Sequence, residues 1–151
     1  MDYDRDISTL NSLISTTLDS IEGYSEAAKD NESGRYGGLF TSRAAERRQV
    51  ATKLQTEVTR LGGTPAESGT ALGGAHRMFF NIKSAVTGKD DQAIVNEVER
   101  GEDHIKAKYE SAMKDEDLSP QVLALIRESY ASVREGHDQM RNIKHDLAAK
   151  D

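Results

Sequence analysis

Apolar residues along this chain recur at three- and four-residue steps, the spacing that lines one face of an α-helix. From about Asp4 to Asp30 that face is Ile7, Leu10, Ile14, Leu18, Ile21 and Ala28, with Tyr24 at its edge. Asp4 and Asp6 suit the positive end of the helix dipole, and Asn31-Glu32-Ser33-Gly34 reads as the turn that follows. A second helix runs to about Leu61 on a 4-3-4-3-4-3 seam of Phe40, Ala44, Arg47, Ala51, Leu54, Val58 and Leu61. Arg47 stands in the middle of that seam, with Arg43 beside it. Gly62-Gly63-Thr64-Pro65 is a strong stop, because Gly takes the left-handed cap and Pro prevents continuation. A shorter third helix is expected from Ser68 or Thr70 to Val86 on Leu72, Ala75, Phe79, Ile82 and Val86. The fourth, about Asp91 to Lys114, uses Ile94, Val98, Glu102, Ile105, Tyr109 and Ala112. The fifth opens at Ser119-Pro120, an N-cap followed by Pro at the first helical position. It continues on Val122, Ile126, Val133, His137, Met140 and Leu147.

Four of these helices are long, roughly 24 to 30 residues or about 36 to 45 Å. The third must travel back along the bundle after a tight turn, so it serves as a crossover between two antiparallel hairpins. The expected fold is therefore all-α: a ferritin-like four-helix bundle with an additional crossover helix between the second and third long helices. No repeat or linker divides the chain, and residues 1–151 read as one domain.

Composition narrows the function. A net charge of −6 disfavours sequence-independent nucleic-acid binding, which needs a basic surface. Zero cysteines exclude a disulfide framework, a thiolate metal site and a cysteine nucleophile. The opening Met1-Asp2-Tyr3-Asp4-Arg5-Asp6 has no apolar run behind it, so no signal peptide is expected. No apolar run approaches the roughly 18 residues of a membrane span. The expected location is cytoplasmic. Met78 and Phe80, off the third seam, suggest a second buried surface and a homodimer.

The residues that break the apolar pattern fall at one height. Arg47 and Glu102 each lie about eleven residues into their helices, some 16 Å down the axis. His137 is about as far from the end of its own helix, and Asp19 reaches the same depth, with Glu22 one turn away. Two readings of this layer stand. In one, inward carboxylates and a histidine (Glu22, Glu46, Glu99, Glu102 and His137, with Asp138 or Glu135 in reserve) bind iron, manganese or zinc. In the other, Arg47, with Arg43, holds Glu102 in a buried ion pair hydrogen-bonded to His137. None of the four histidines has Glu three residues before it, so the Glu-x-x-His pairs of dinuclear bundles are missing. Glu22, Glu46 and Glu99 sit at the flank of their apolar faces. Glu102-Asp103-His104 points three ways round a helix, so His104 cannot join Glu102. Gly73-Gly74 lacks the Lys-Ser/Thr and preceding strand of a phosphate loop, and no Ser-His-Asp arrangement is visible.

Several stretches together resemble a known group. They are Leu10-Asn11-Ser12-Leu13-Ile14, Gly23-Tyr24, Ala27-Ala28, Leu61 to Pro65, His76-Arg77, Asn81 to Gly88, Glu99-Arg100-Gly101-Glu102-Asp103 and His137-Asp138. The chain is similar to proteobacterial ferritin-like four-helix-bundle proteins classed as a domain of unknown function, close to stress-associated bundle proteins. The resemblance spans roughly residues 7 to 145. It implies the ferritin-like fold and supplies no activity. Glu99, Glu102, His137 and Asp138 are signature positions of that group. The expectation is thus a stress-linked or regulatory interaction protein with a buried polar layer, or alternatively a metal-binding bundle.

Overall fold

The computed structural model of this protein describes residues 3–30, 34–67 and 91–149. Four helices occupy them: α1 Asp4–Asp30, α2 Gly37–Arg60, α3 Asp91–Met113 and α4 Pro120–Ala149. No strand occurs among the described residues. The expected third helix, with Met78 and Phe80, lies outside them.

Each helix buries its apolar face against two neighbours. α1 packs on α2 and α3, and α4 packs on the same two. The order around the bundle is therefore α1, α2, α4, α3, which puts α2 and α3 on one diagonal. One half of the core joins Leu10, Leu13 and Ile14 to Leu54 and Val58, Ile105 and Tyr109, and Val122 and Ile126. The other half joins Ile21 and Tyr24 to Phe40 and Ala44, Ile94 and Val98, and Met140. Thus α1 and α4 run one way, α2 and α3 the other, and every neighbouring pair is antiparallel. α2 ends and α3 begins at opposite ends of the bundle. Because α1 serves two neighbours, its buried face is wider than a single seam. Tyr24, expected at the edge, is wholly enclosed, and Thr17 and Ser20 are buried beside it.

The ends are set by local chemistry. Gly62 takes φ +87, the left-handed conformation that costs a glycine little. Its N–H bonds the Thr59 carbonyl and the Gly63 N–H bonds the Val58 carbonyl, each at 3.0 Å, a Schellman cap on α2. Asn11 then holds the outgoing chain, donating to the Thr64 carbonyl at 3.0 Å and accepting from the Ala66 N–H at 2.8 Å. At the start of α4, the Ser119 hydroxyl faces the Val122 N–H at 3.4 Å, and Asp6 of α1 accepts from the Ser119 N–H at 2.9 Å. No helix of the described residues is long and apolar enough to cross a membrane.

Candidate functional site

The seam of α2 carries Arg47 inward, and the seam of α3 carries Glu102 toward it. Both side chains are fully enclosed, and Arg47 Nη2 donates to Glu102 Oε2 at 2.7 Å. The bond crosses the diagonal of the bundle, a span that suits two long side chains. Arg47 Nη1 donates to Ser20 Oγ at 3.2 Å, and Nη2 also reaches the Val133 carbonyl at 3.4 Å. Its guanidinium carbon lies 5.7 Å from the centre of the Tyr24 ring, within cation–π range. Four helices thus contribute to the surroundings of one guanidinium. Room for it comes from Gly136 of α4, where a Cβ would lie 2.6 Å from Arg47 Nη2 and 3.1 Å from Arg43 Cδ.

The layer is electrostatically coupled. Burial is the largest influence on Arg47 and pulls its pKa down, but the charge and hydrogen bond of Glu102, joined by Tyr24 and Tyr109, together outweigh it and the net shift is upward, so Arg47 stays a cation. Burial raises the Tyr24 pKa well above its usual value, the Glu102 charge adds to this, and Arg47 opposes it. Tyr24 feels the Glu102 charge without making a well-formed hydrogen bond to it. Among the described residues, the Tyr24 hydroxyl, Glu102 Oε1, Arg47 Nε and Ser129 Oγ make no hydrogen bond. Arg43 extends the layer toward solvent, donating to both Glu46 oxygens at 2.9 Å and to Gln139 Oε1 at 2.5 Å. Ser132 also donates to Glu46.

The sequence-derived candidates therefore separate. Glu102 faces Arg47, Glu46 is held by Arg43 and Ser132, and Glu22 is exposed on α1. Asp19 is buried on α1. Its charge reaches His104, whose pKa is nevertheless lowered, first by burial and then by Lys108. His137 lies at the expected height, but its ring turns into the groove between α3 and α4. There Nε2 is 2.6 Å from Asp103 Oδ1 and Nδ1 is 3.2 Å from Asp138 Oδ1. Glu99 joins this groove, and Lys144 donates to it at 3.3 Å. Glu99, Asp103 and His137 can each bring one ligand atom within 4.8 Å of the others. Asp103 is the residue that sequence reasoning missed. The available signal was its four-residue step from Glu99, which places both carboxylates on one helix face.

A dinuclear centre needs inward carboxylates from all four helices with metal ions between them. Here a guanidinium occupies the middle of the layer, Glu46 of α2 turns to Arg43 and Ser132, and Glu22 of α1 is exposed. The core residues do not fit such a centre.

Among the described residues, fold and layer together define an all-α four-helix bundle with a buried arginine–glutamate pair at mid-height. Residues 5–115 match the family described as "Domain of unknown function (DUF2383)", and the chain belongs to that family. No curated protein matches the chain.

Proposed function

We propose that this chain is a ferritin-like bundle of the proteobacterial type, serving as a cytoplasmic stress-linked or regulatory interaction protein. The observation that carries this reading is the Arg47–Glu102 bond in the core, both partners fully enclosed. Oxidative bundle chemistry depends on metal ions at that place. A layer already neutralised by an arginine works as structure, which leaves the helix surfaces to do the recognising. A polar cleft of about 200 Å³ between α2 and α4, lined by Gln49, Lys53, Glu128, Ser129 and Ser132, supports such a surface. A second copy of the chain is one partner in this reading.

Fe(II) added in air to the metal-stripped protein is expected to oxidise at the rate seen in buffer alone. A rapid oxidation phase of two irons per chain would overturn the reading. Sedimentation is expected to return twice the mass of one chain, and a monomer mass at all concentrations would remove the second copy as partner. The metal-binding alternative, with iron, manganese or zinc on inward Glu and His residues, has one geometric support. It is the meeting of Glu99, Asp103 and His137, which lies beside the core layer and outside it.

A further inference from the structure

We propose that the groove between α3 and α4 is a mononuclear site for a divalent transition-metal ion, ligated by Glu99, Asp103 and His137. The inference rests on that alternative and is independent of the interaction role.

Two carboxylates four residues apart on α3 form one jaw, because i and i+4 share a helix face. The other jaw is a single imidazole from α4. Ligand atoms around a transition metal lie about 3–4 Å apart when each bond is about 2.0–2.2 Å. The three donors here lie within 4.8 Å of one another, so rotamer-scale movement closes the shell. Glu99 and His137 are 8% and 6% exposed, so two of the three donors are already withdrawn from water. The Asp103 side chain is 58% exposed, which gives an ion a way in and leaves coordination positions to solvent.

A second observation points to a ligand. Asp138 Oδ1 stands 3.2 Å from His137 Nδ1, on the side of the ring away from Asp103. With Nδ1–H donating to Asp138, the neutral ring presents its Nε2 lone pair to Glu99 and Asp103. This is the carboxylate–histidine–metal arrangement that orients a ligating imidazole. Two carboxylates and a lone pair that converge need a cation between them. The contact between Nε2 and Asp103 Oδ1 at 2.6 Å meets part of that need. Lys144 meets part of it at Glu99 from 3.3 Å, and its half-exposed side chain is free to swing out when an ion arrives. One imidazole nitrogen with two carboxylate oxygens suits Zn²⁺, Mn²⁺ or Fe²⁺, whereas Mg²⁺ and Ca²⁺ prefer all-oxygen shells. Arg47 and Glu102 take no part, so the site coexists with the core ion pair.

Titration calorimetry of the metal-stripped full chain with Zn²⁺ and with Mn²⁺ tests the assignment. One ion per chain is expected to bind, with Mg²⁺ unable to compete at equal concentration. Asp103→Asn, at an exposed position, is expected to leave the urea midpoint unchanged and weaken binding roughly 100-fold. Asp138→Asn is expected to weaken it about 10–100-fold, as loss of an outer-shell partner does. Lys144→Gln is expected to tighten it, because a competing cation is gone; Glu46→Gln is expected to leave it unchanged. The proposal fails if neither ion binds, if Asp103→Asn binds as the parent does, or if Glu46→Gln weakens binding as much as Asp103→Asn. Iron-oxidation kinetics report on the interaction reading and leave this result untouched.

Discussion

Arg47→Ala is expected to cost about 3–5 kcal/mol in urea unfolding at neutral pH, because it strands a fully buried Glu102 carboxylate. That is a large fraction of the roughly 5–15 kcal/mol that holds a domain folded. The pair's own net worth is a separate quantity. Desolvating two ions offsets much of their attraction, so Arg47→Met combined with Glu102→Leu is expected to recover most of the loss. The layer favours that outcome, since Glu102 Oε1 and Arg47 Nε are buried without hydrogen-bond partners among the described residues. Gly136→Ala probes the same guanidinium from α4. Helix propensity alone favours Ala by about 1 kcal/mol. The new Cβ would lie 2.6 Å from Arg47 Nη2, whose bonds to Glu102 and Val133 resist displacement. A net loss of about 1–3 kcal/mol, the usual cost of overpacking, is expected. A near-neutral Arg47→Ala would show that Glu102 finds another partner or a proton, and would remove the ion pair from the account of stability.

The second large effect is alkaline. Burial raises the Tyr109 pKa to about 12, against the opposing Thr17 hydrogen bond and Arg47 charge, and burial raises Tyr24 well above its usual value. Unfolded chains lose these protons near pH 10. Between pH 10 and 12 the folded protein therefore holds more protons than the unfolded one, and stability falls as pH rises. For Tyr109 alone the loss is on the order of 3 kcal/mol across that window. Tyr24 acts in the same direction. Urea midpoints at pH 9, 10, 11 and 12 check the fall, with tyrosinate absorbance followed alongside. Tyr24 and Tyr109 are expected to ionise only as the chain unfolds. Full tyrosinate absorbance in a still-folded protein at pH 11 would contradict the burial argument. The Tyr109 hydroxyl lies 2.7 Å from Thr17 Oγ1, itself donating to the Leu13 carbonyl, so Tyr109→Phe tests that bond separately.

Much of the bundle is legible in the sequence for a simple reason. Apolar period, Gly and Pro stops and Ser-Pro starts are local signals, and they mark α1, α2, α3 and α4 within a residue or two. Height along a helix is local as well. Rise per residue is nearly constant, so counting from the ends brings Arg47, Glu102 and His137 to one level. Direction across the bundle is different. Whether a side chain at that level points to the centre or into a groove depends on which helices are neighbours. Arg47 and Glu102 come from diagonal helices and meet through the middle. His137 comes from α4, next to α3, and its ring settles between Asp103 and Asp138 in their shared groove. Tyr24 follows the same rule: a seam drawn for one neighbour leaves it at the edge, and the second neighbour of α1 encloses it.

The sequence by itself determined the helices, their ends and the depth of the polar residues, because these depend on contacts within a few residues of chain. It also required that Glu102 have a cationic partner, since a buried carboxylate cannot stand alone. Only the tertiary structure decided which cation that is. Packing puts the Arg47 guanidinium against Gly136 and 2.7 Å from Glu102, and turns Glu99, Asp103 and His137 together in the groove beside it.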